Sequence, residues 1–143
     1  MTKLTAGQKF RAAISANKPL QIVGTINAYT AMMAERTGHQ ALYLSGAGVA
    51  NASFGLPDLG MTSLNDVCED IRRITGATSV PLLVDADTGW GGAFNIARTV
   101  KDMTRAGAAG STPPCSSARP RSTASRACAS PSSTCSTACR NCC

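Results

Sequence analysis

The last 33 residues of this 143-residue chain lack every aliphatic and aromatic side chain larger than alanine. Residues 111–143 contain only serine, cysteine, alanine, arginine, threonine, proline and one asparagine, whereas residues 1–110 hold all the glycine, lysine, aspartate and glutamate. Such a segment buries little apolar surface, while ordering it costs about 1–2 kcal/mol per residue in backbone entropy. We therefore expect one folded domain over residues 1–110 and a disordered tail over residues 111–143.

Acidic residues are also absent from the tail, and this absence decides where the net charge of +6 lies. Residues 1–110 carry ten basic and eight acidic side chains, a net charge of +2, and the four arginines of the tail add +4. The folded region is thus close to neutral and shows no basic footprint for nucleic acid. We expect no nucleic-acid partner.

Long apolar runs, which mark membrane-spanning and secreted chains, are missing as well. No stretch approaches the roughly 20 apolar residues that cross a bilayer. The first 16 residues contain no apolar stretch followed by a small-residue cleavage site. We therefore expect a cytoplasmic protein with no membrane partner.

Six of the seven cysteines lie in the tail, which raises the alternative of a cysteine-rich metal-binding module. Four of them fall close together, at Cys135, Cys139, Cys142 and Cys143. Their spacing matches no paired C-x2-C zinc knuckle, and His39 is the only histidine. The pattern disfavours zinc, and zinc retained through dialysis would reverse that judgement.

Residues 1–110 show alternating helix and strand patterns. Capping and periodicity predict helices over residues 6–16, 28–37 and 94–105 and from Ser63 to Gly76. Apolar runs predict strands over residues 20–26, 41–45 and 81–85. Between these elements, glycine content predicts a turn at 46–48 and a loop over 51–61. Residues 107–110 resemble the entry to a fourth strand, but we expect no strand to follow it. This alternation indicates right-handed βαβ units and a parallel sheet, in either an α/β barrel or an open doubly wound sheet.

Two carboxylates after the third predicted strand form the most informative motif. Asp85 and Asp87 stand at positions i and i+2, within the glycine-rich segment 85–91. Hard oxygen ligands of this kind suit Mg²⁺, which keeps several waters and takes one or two carboxylates plus substrate oxygens. The alternative is a solvated acidic loop that caps the next helix.

The second predicted strand also ends in residues suited to a ligand. Ser45, Gly46 and Ala47 offer a hydroxyl and small-residue backbone N–H groups where a carboxylate could be held. A tight strand-to-helix turn accounts for the same residues, and the spacing is not that of a GxGxxG dinucleotide motif. Asp58 adds a third carboxylate, for which the alternative role is that of a turn residue.

Six blocks of sequence, taken together and in order, closely resemble the 2-methylisocitrate lyase family of the isocitrate lyase and phosphoenolpyruvate mutase superfamily. The blocks are residues 19–24, 43–46, 55–60, 70–74, 81–87 and 94–100, and the resemblance covers residues 8–110. It implies the N-terminal part of a (β/α)8 TIM barrel, about three βα units. It also implies a carbon–carbon lyase of the methylcitrate cycle of propionate catabolism. Such an enzyme splits 2-methylisocitrate, a tricarboxylate, into pyruvate and succinate with Mg²⁺ and is typically a homotetramer.

The resemblance assigns roles to individual residues. Asp85 and Asp87 match metal-binding aspartates, while Ser45, Gly46, Ala47, Asp58 and Tyr43 match or support the substrate pocket, with Ala47 at a position where the family often has glycine. A divalent cation suits this cleavage because it stabilises the enolate of pyruvate as a Lewis acid. Another superfamily enzyme, acting on phosphonopyruvate or oxaloacetate, is the alternative, since these enzymes share the Asp-x-Asp strand end.

After residue 110 the sequence departs from the family. The family continues with a strand carrying His-x-Glu-Asp and then a flexible Lys-Arg-Cys-Gly-His loop whose cysteine acts as the acid. Neither motif is present, and Cys115 and Cys128 are not flanked by Gly-His, so we assign no catalytic residue. Our hypothesis for the tail is a reading-frame shift after codon 110, and we expect this truncated chain to be inactive.

Overall fold

The computed structural model describes residues 4–113. In chain order the elements are α1 (Ala6–Ala16), β1 (Val23–Gly24), α2 (Ala28–Arg36), β2 (Leu42–Leu44), α3 (Gly46–Gly48), a π-helix (Val49–Ser53), α4 (Leu64–Ala77), β3 (Leu82–Val84), α5 (Ala93–Ala106) and β4 (Gly110–Ser111). The predictions of disorder and of cysteine spacing for residues 114–143 lie outside the described residues.

The four strands form one parallel sheet in the order β1-β2-β3-β4. Val23 pairs with Leu42, Leu42 with Leu82, and Val84 with Ser111. Neighbours in the sheet are thus neighbours in the chain, each joined to the next by a helical connection. A doubly wound sheet reverses its strand order at a switch point, and residues 4–113 contain no such reversal. The order is that of a (β/α) barrel.

Three helices begin with a side-chain cap, which the sequence predicted for α1 and α4 but not for α2. Thr5 and Gln8, Asn27 and Thr30, and Ser63 and Asp66 each form a capping box at the start of α1, α2 and α4 respectively. In each box the two side chains satisfy backbone N–H groups that the first helical turn leaves without a partner. Side chains close in sequence therefore mark where these helices start.

The core lies between the sheet and the helices, and α4 packs against both α2 and α5. Its largest fully buried side chains are Leu42, Leu44, Val49, Val67, Ile71, Ile74, Leu82, Val84, Thr99 and Met103. On α5, Met103 is buried in this core, whereas Val100 is 46% exposed. Among the described residues, no helix is both long and apolar enough to pass through a bilayer.

The first strand is shorter and more open than predicted. Residues 20–26 suggested a buried strand, but only Val23–Gly24 pair with β2. Ile22 and Ile26 are 39% and 45% exposed. The strand β1 is at the edge of the described sheet, so its outer side has no neighbouring strand among residues 4–113. Burial of these isoleucines requires a neighbour that the apolar pattern alone does not supply.

The predicted turn at 46–48 and the start of the predicted loop at residue 51 were wrong. The chain instead turns through α3 and directly into the π-helix Val49–Ser53. Val49 and Ala50 are buried, so core contacts hold this helical segment despite its glycines. Single π-helical turns are rare and frequently occur at functional sites.

A fourth strand does form, although the sequence indicates only its entry. Gly110 pairs with Leu83, the Ala109 N–H donates to the Leu82 carbonyl at 2.8 Å, and the Thr112 N–H donates to the Val84 carbonyl at 2.9 Å. Sheet pairing therefore continues two residues beyond residue 110, into the segment assigned to the tail.

Candidate metal and substrate site

The residues selected from the sequence follow β2 and β3 at one edge of the sheet. Ser45 comes directly after β2 and Asp85 directly after β3. Because all four strands are parallel, their carboxyl ends meet at the same edge, which is where barrel enzymes of this kind place their sites. The fold therefore brings two separate sequence motifs to one place.

Asp85 is held by hydrogen bonds on several sides. Its backbone N–H donates to the Leu44 carbonyl at 2.9 Å, and its Oδ1 accepts the Asp87 N–H and the Thr112 hydroxyl, each at 3.1 Å. Burial, and next the negative charge of Asp85, raise the pKa of Tyr43 to about 12. The Tyr43 hydroxyl therefore stays protonated at neutral pH.

Asp87 lies in a tight turn with a left-handed backbone, at a φ of 45°. The Gly89 N–H closes this turn on the Ala86 carbonyl at 2.7 Å. Burial raises the pKa of Asp87 above its ordinary value of 3.8, and the negative charges of Asp85 and Asp58 raise it further. The structure thus brings all three carboxylates close enough to repel, and a bound cation would relieve that repulsion.

We expect Asp87→Asn to slow the opening of this turn in the metal-free chain at about pH 7. A raised pKa means that Asp87 holds its proton more tightly in the folded turn than in the unfolded chain. As the pH rises above the ordinary pKa of 3.8, the charge of Asp87 therefore destabilises the turn. Asparagine removes the charge and tolerates a positive φ. Exchange of the Gly89 amide proton should be slower in the variant, and the difference should vanish below 3.8, the ordinary pKa of this group. Faster exchange in the variant at neutral pH would contradict this assignment.

Ser45, Gly46 and Ala47 are half-buried at the same edge. Ser45 is the N-cap residue of α3, but its side chain makes no capping hydrogen bond. Among residues 4–113, no side-chain hydrogen bond joins this segment to Asp85 or Asp87. The segment therefore faces the carboxylates from a neighbouring strand without being tied to them, which suits residues that would contact a ligand between the two strands.

The oxygen ligands fit Mg²⁺ better than a dedicated structural metal. No group of three or more histidine, cysteine, aspartate or glutamate side chains stands in ligating positions within residues 4–113. Asp85 and Asp87 supply two carboxylates, and Mg²⁺ is usually bound by one or two carboxylates with waters and substrate oxygens. Zinc, in contrast, prefers closed sets of cysteine and histidine.

A groove of about 710 Å³ lies at the opposite edge of the sheet and has a different character. The Lys9 ammonium donates to the Ser79 carbonyl at 3.1 Å, and the Ser79 hydroxyl donates to the Glu35 carboxylate at 2.9 Å. Hydrogen bonds from Thr78 and Ser79 lower the pKa of Glu35. These groups bond to one another and tie α1 and α2 to the turn before β3, which is a stabilising role.

Sequence reasoning missed the contacts that hold the 85–92 loop. The Trp90 indole N–H donates to the Thr62 carbonyl at 3.0 Å, and the buried Thr99 hydroxyl donates to the Gly89 carbonyl at 3.0 Å. The bond from Thr112 to Asp85 was missed as well. Each contact joins segments distant in sequence, so periodicity carried no signal for it.

A buried carboxylate on α4 anchors the π-helix that follows the Ser45 segment. Asp70 is 3% exposed. It accepts the Ser53 hydroxyl at 2.5 Å on one oxygen and an Arg73 N–H at 2.9 Å on the other. Both carboxylate oxygens thus have a donor, as a buried charge requires. The segment between β2 and Ser53 is therefore fixed at both ends.

We expect Ser53→Ala to loosen the π-helix while leaving the sheet intact. The variant leaves one oxygen of the buried Asp70 carboxylate without its donor, which costs about 1–3 kcal/mol. Amide exchange at Leu56, whose N–H bonds to the Ala50 carbonyl, should then quicken by about 5- to 150-fold. The matched control is Ser15→Ala, since Ser15 bonds only within exposed α1. Equal exchange at Leu56 in both variants would show that Asp70 does not hold this helix.

The family model described as phosphoenolpyruvate phosphomutase matches residues 10–112. The chain belongs to the phosphoenolpyruvate phosphomutase family. Within this family it is 71% identical, over 105 residues, to a 2-methylisocitrate lyase of Shewanella oneidensis, a match that covers 73% of this chain and 36% of that relative. The family predicted from the six sequence blocks is confirmed.

Solved structures of this family share the fold. A 2,3-dimethylmalate lyase, a member of the PEP mutase/isocitrate lyase superfamily, aligns with a TM-score of 0.68 at 34% identity, over 77% of this chain and 39% of that chain. A phosphonopyruvate hydrolase in complex with oxalate and Mg²⁺ aligns with a TM-score of 0.64 at 32% identity, over 73% of this chain and 37% of that chain. The predicted TIM-barrel class is thus confirmed for the described part, and the chain spans somewhat more than a third of the length of these relatives.

Proposed function

We propose that residues 1–110 are the N-terminal part of a Mg²⁺-dependent carbon–carbon lyase that splits 2-methylisocitrate into pyruvate and succinate. The convergence of Tyr43, Asp85 and Asp87 at the carboxyl edge of the sheet carries this proposal. The 71% identity to a 2-methylisocitrate lyase supports the choice of substrate. We further propose the methylcitrate cycle of propionate catabolism as its pathway, the cytoplasm as its location and a homotetramer as its assembly.

The described site residues fall into two groups, one that would hold the metal and one that would hold the substrate. Asp85 and Asp87 would hold Mg²⁺, which when bound acts as a Lewis acid on substrate oxygens. Tyr43 keeps its proton in the field of Asp85 and would support the substrate pocket. Ser45, with the backbone N–H groups of Gly46 and Ala47, would hold a substrate carboxylate.

Asp58 brings its negative charge close to Asp87 from the loop after the π-helix and would line the same pocket. We assign no general acid to this chain, because Cys115 and Cys128 lack the flanking residues of the family's acid loop. The residues of this chain therefore bind and orient, and proton transfer to the products is left to other groups.

A second candidate is a superfamily enzyme acting on phosphonopyruvate or oxaloacetate. The phosphonopyruvate hydrolase structure carries oxalate and Mg²⁺, so a related scaffold binds a small dicarboxylate with this metal. Its identity to this chain is 32%, however, against 71% for the 2-methylisocitrate lyase. Two enzymes share more of their substrate-contacting residues when their identity is higher, so the comparison favours 2-methylisocitrate as the substrate.

A chimeric enzyme tests the proposal. Residues 1–110 of this chain replace the matching segment of the Shewanella oneidensis 2-methylisocitrate lyase. We expect kcat/KM for 2-methylisocitrate within about tenfold of the parent enzyme, a change of roughly 1.4 kcal/mol or less in transition-state stabilisation. The control chimera carries the matching segment of the phosphonopyruvate hydrolase and is expected to be inactive on this substrate. If both chimeras are equally inactive, the proposed substrate is wrong.

A further inference from the structure

Thr112 lies at the same sheet edge as the candidate metal ligands, one residue after β4. The pairing of Val84 with Ser111, continued by the Thr112 N–H bond to the Val84 carbonyl, sets Thr112 beside Asp85. Both residues come one step after paired residues of adjacent parallel strands. Their side chains therefore emerge on the same side of the sheet edge.

The hydroxyl of Thr112 is fixed by two hydrogen bonds of opposite sense. It accepts the Ala86 N–H at 3.2 Å and donates to Asp85 Oδ1 at 3.1 Å. Because Ala86 is 1% exposed, its N–H has little access to water. The bond from Ala86 therefore directs the hydroxyl proton toward Asp85, and Thr112 acts on the carboxylate with a defined orientation.

The Asp85 carboxylate is consequently oriented through its first oxygen. The Asp87 N–H donates to the same Oδ1 at 3.1 Å, so this atom already accepts two hydrogen bonds. A carboxylate oxygen has about two lone-pair sites. A cation would therefore bind the second carboxylate oxygen, Oδ2. The two hydrogen bonds to Oδ1 set the direction in which Oδ2 points.

We infer that Thr112 is a positioning residue for the metal site, holding Asp85 in the orientation that receives a divalent cation. The inference rests on the proposed function, because it takes Asp85 as a metal ligand. The inference goes beyond the proposed function because it assigns a role to Thr112, which follows residue 110, where the resemblance to the family ends. Partners that orient a ligating carboxylate typically change metal affinity by about 10- to 100-fold when they are removed.

The test is the affinity of the 143-residue chain for Mn²⁺, used as a paramagnetic substitute for Mg²⁺ and measured by electron paramagnetic resonance. We expect Thr112→Val to bind about 10- to 100-fold more weakly than the unchanged chain. Thr112→Ser keeps the hydroxyl and should bind like the unchanged chain. The matched control is Thr104→Val on α5, where the threonine hydroxyl bonds only to the Val100 carbonyl of its own helix.

The outcomes separate this inference from the proposed function. Metal binding that is lost in Asp85→Asn but unchanged in Thr112→Val would overturn the role of Thr112 and leave the proposed metal site standing. Equal weakening by Thr112→Ser and Thr112→Val would also overturn it, since the hydroxyl would not be the cause. No binding by the unchanged chain would overturn both.

A second measurement needs no substitution and holds even if Thr112→Val fails to fold. In a Mg²⁺ titration of the unchanged chain, the amide proton of Ala86, which donates to Thr112, should shift at the same concentrations as that of Asp87. An Ala86 signal that stays unchanged while the Asp87 signal moves would contradict the inference.

Discussion

Asp85→Asn and Asp87→Asn are each expected to lower the Mg²⁺-dependent turnover of the chimera by at least about 10²- to 10³-fold, the loss that follows removal of one group stabilising an oxyanion. Each substitution removes a negative ligand while keeping the shape of the side chain. At position 87 asparagine also tolerates the φ of 45°, so the turn is preserved. Turnover is measured as pyruvate release at saturating substrate.

The matched control for these two variants is Asp102→Asn in the same chimera. Asp102 pairs with Arg98 and Arg105 on the outer face of α5, away from the sheet edge. Exposed ion pairs of this kind contribute about 0–1 kcal/mol, so turnover should stay near that of the unchanged chimera. Near-normal turnover of Asp85→Asn or Asp87→Asn would remove that residue from the metal site.

The 143-residue chain by itself is expected to release no pyruvate from 2-methylisocitrate. A closed barrel of this class has eight strands, and residues 4–113 supply four. Among those residues, the outer sides of β1 and β4 have no neighbouring strand, and Ile22 and Ile26 remain partly exposed beside β1. With these edges open, residues 4–113 do not close the pocket that the cleavage requires.

The experiment compares the purified chain with the chimera in the same assay and follows thermal unfolding of both. Turnover in the chimera and none in the chain is the expected result, and the unfolding curves check that both proteins are folded in the assay. Turnover in the chain would show that fewer barrel strands suffice for catalysis than this fold class suggests.

The elements that local sequence specifies were predicted well. The capping boxes of α1 and α4 were visible at Thr5 and Ser63 because their partners lie three residues away. Strands β2 and β3 fall inside their predicted apolar runs. Asp85 and Asp87 stood out because two carboxylates directly follow a buried strand. Each of these signals is contained within a few residues.

Features that depend on pairing between distant segments were not predictable in the same way. The length of β1 depends on its neighbours, and residues 20–26 gave no sign that only Val23–Gly24 would pair. The bond from Ser53 to Asp70 joins residues 17 apart, and that from Thr112 to Asp85 joins residues 27 apart. The register that creates these contacts is a property of the folded sheet.

The conformation of the glycine-rich segment 46–53 was predicted wrongly for another reason. Glycine permits both a turn and a helix, and burial of Val49 and Ala50 decides in favour of helical geometry. Composition favoured the turn because glycine content indicates how flexible the backbone is locally. It carries no information on the tertiary contacts that hold this backbone in one conformation. The conformation of this segment was thus predicted wrongly, and its role in ligand binding stays a prediction.

The most direct test of the account is to map where the 143-residue chain binds a divalent cation. Mn²⁺ added at substoichiometric amounts broadens the amide signals of nearby residues in nuclear magnetic resonance spectra. We predict that broadening is strongest at Ser45, Asp85 and Asp87 and absent at Lys9 and Ser79, which lie at the opposite edge of the sheet. Broadening centred on Lys9 and Ser79, or none at Asp85 and Asp87, would contradict a metal site at the carboxyl ends of these strands.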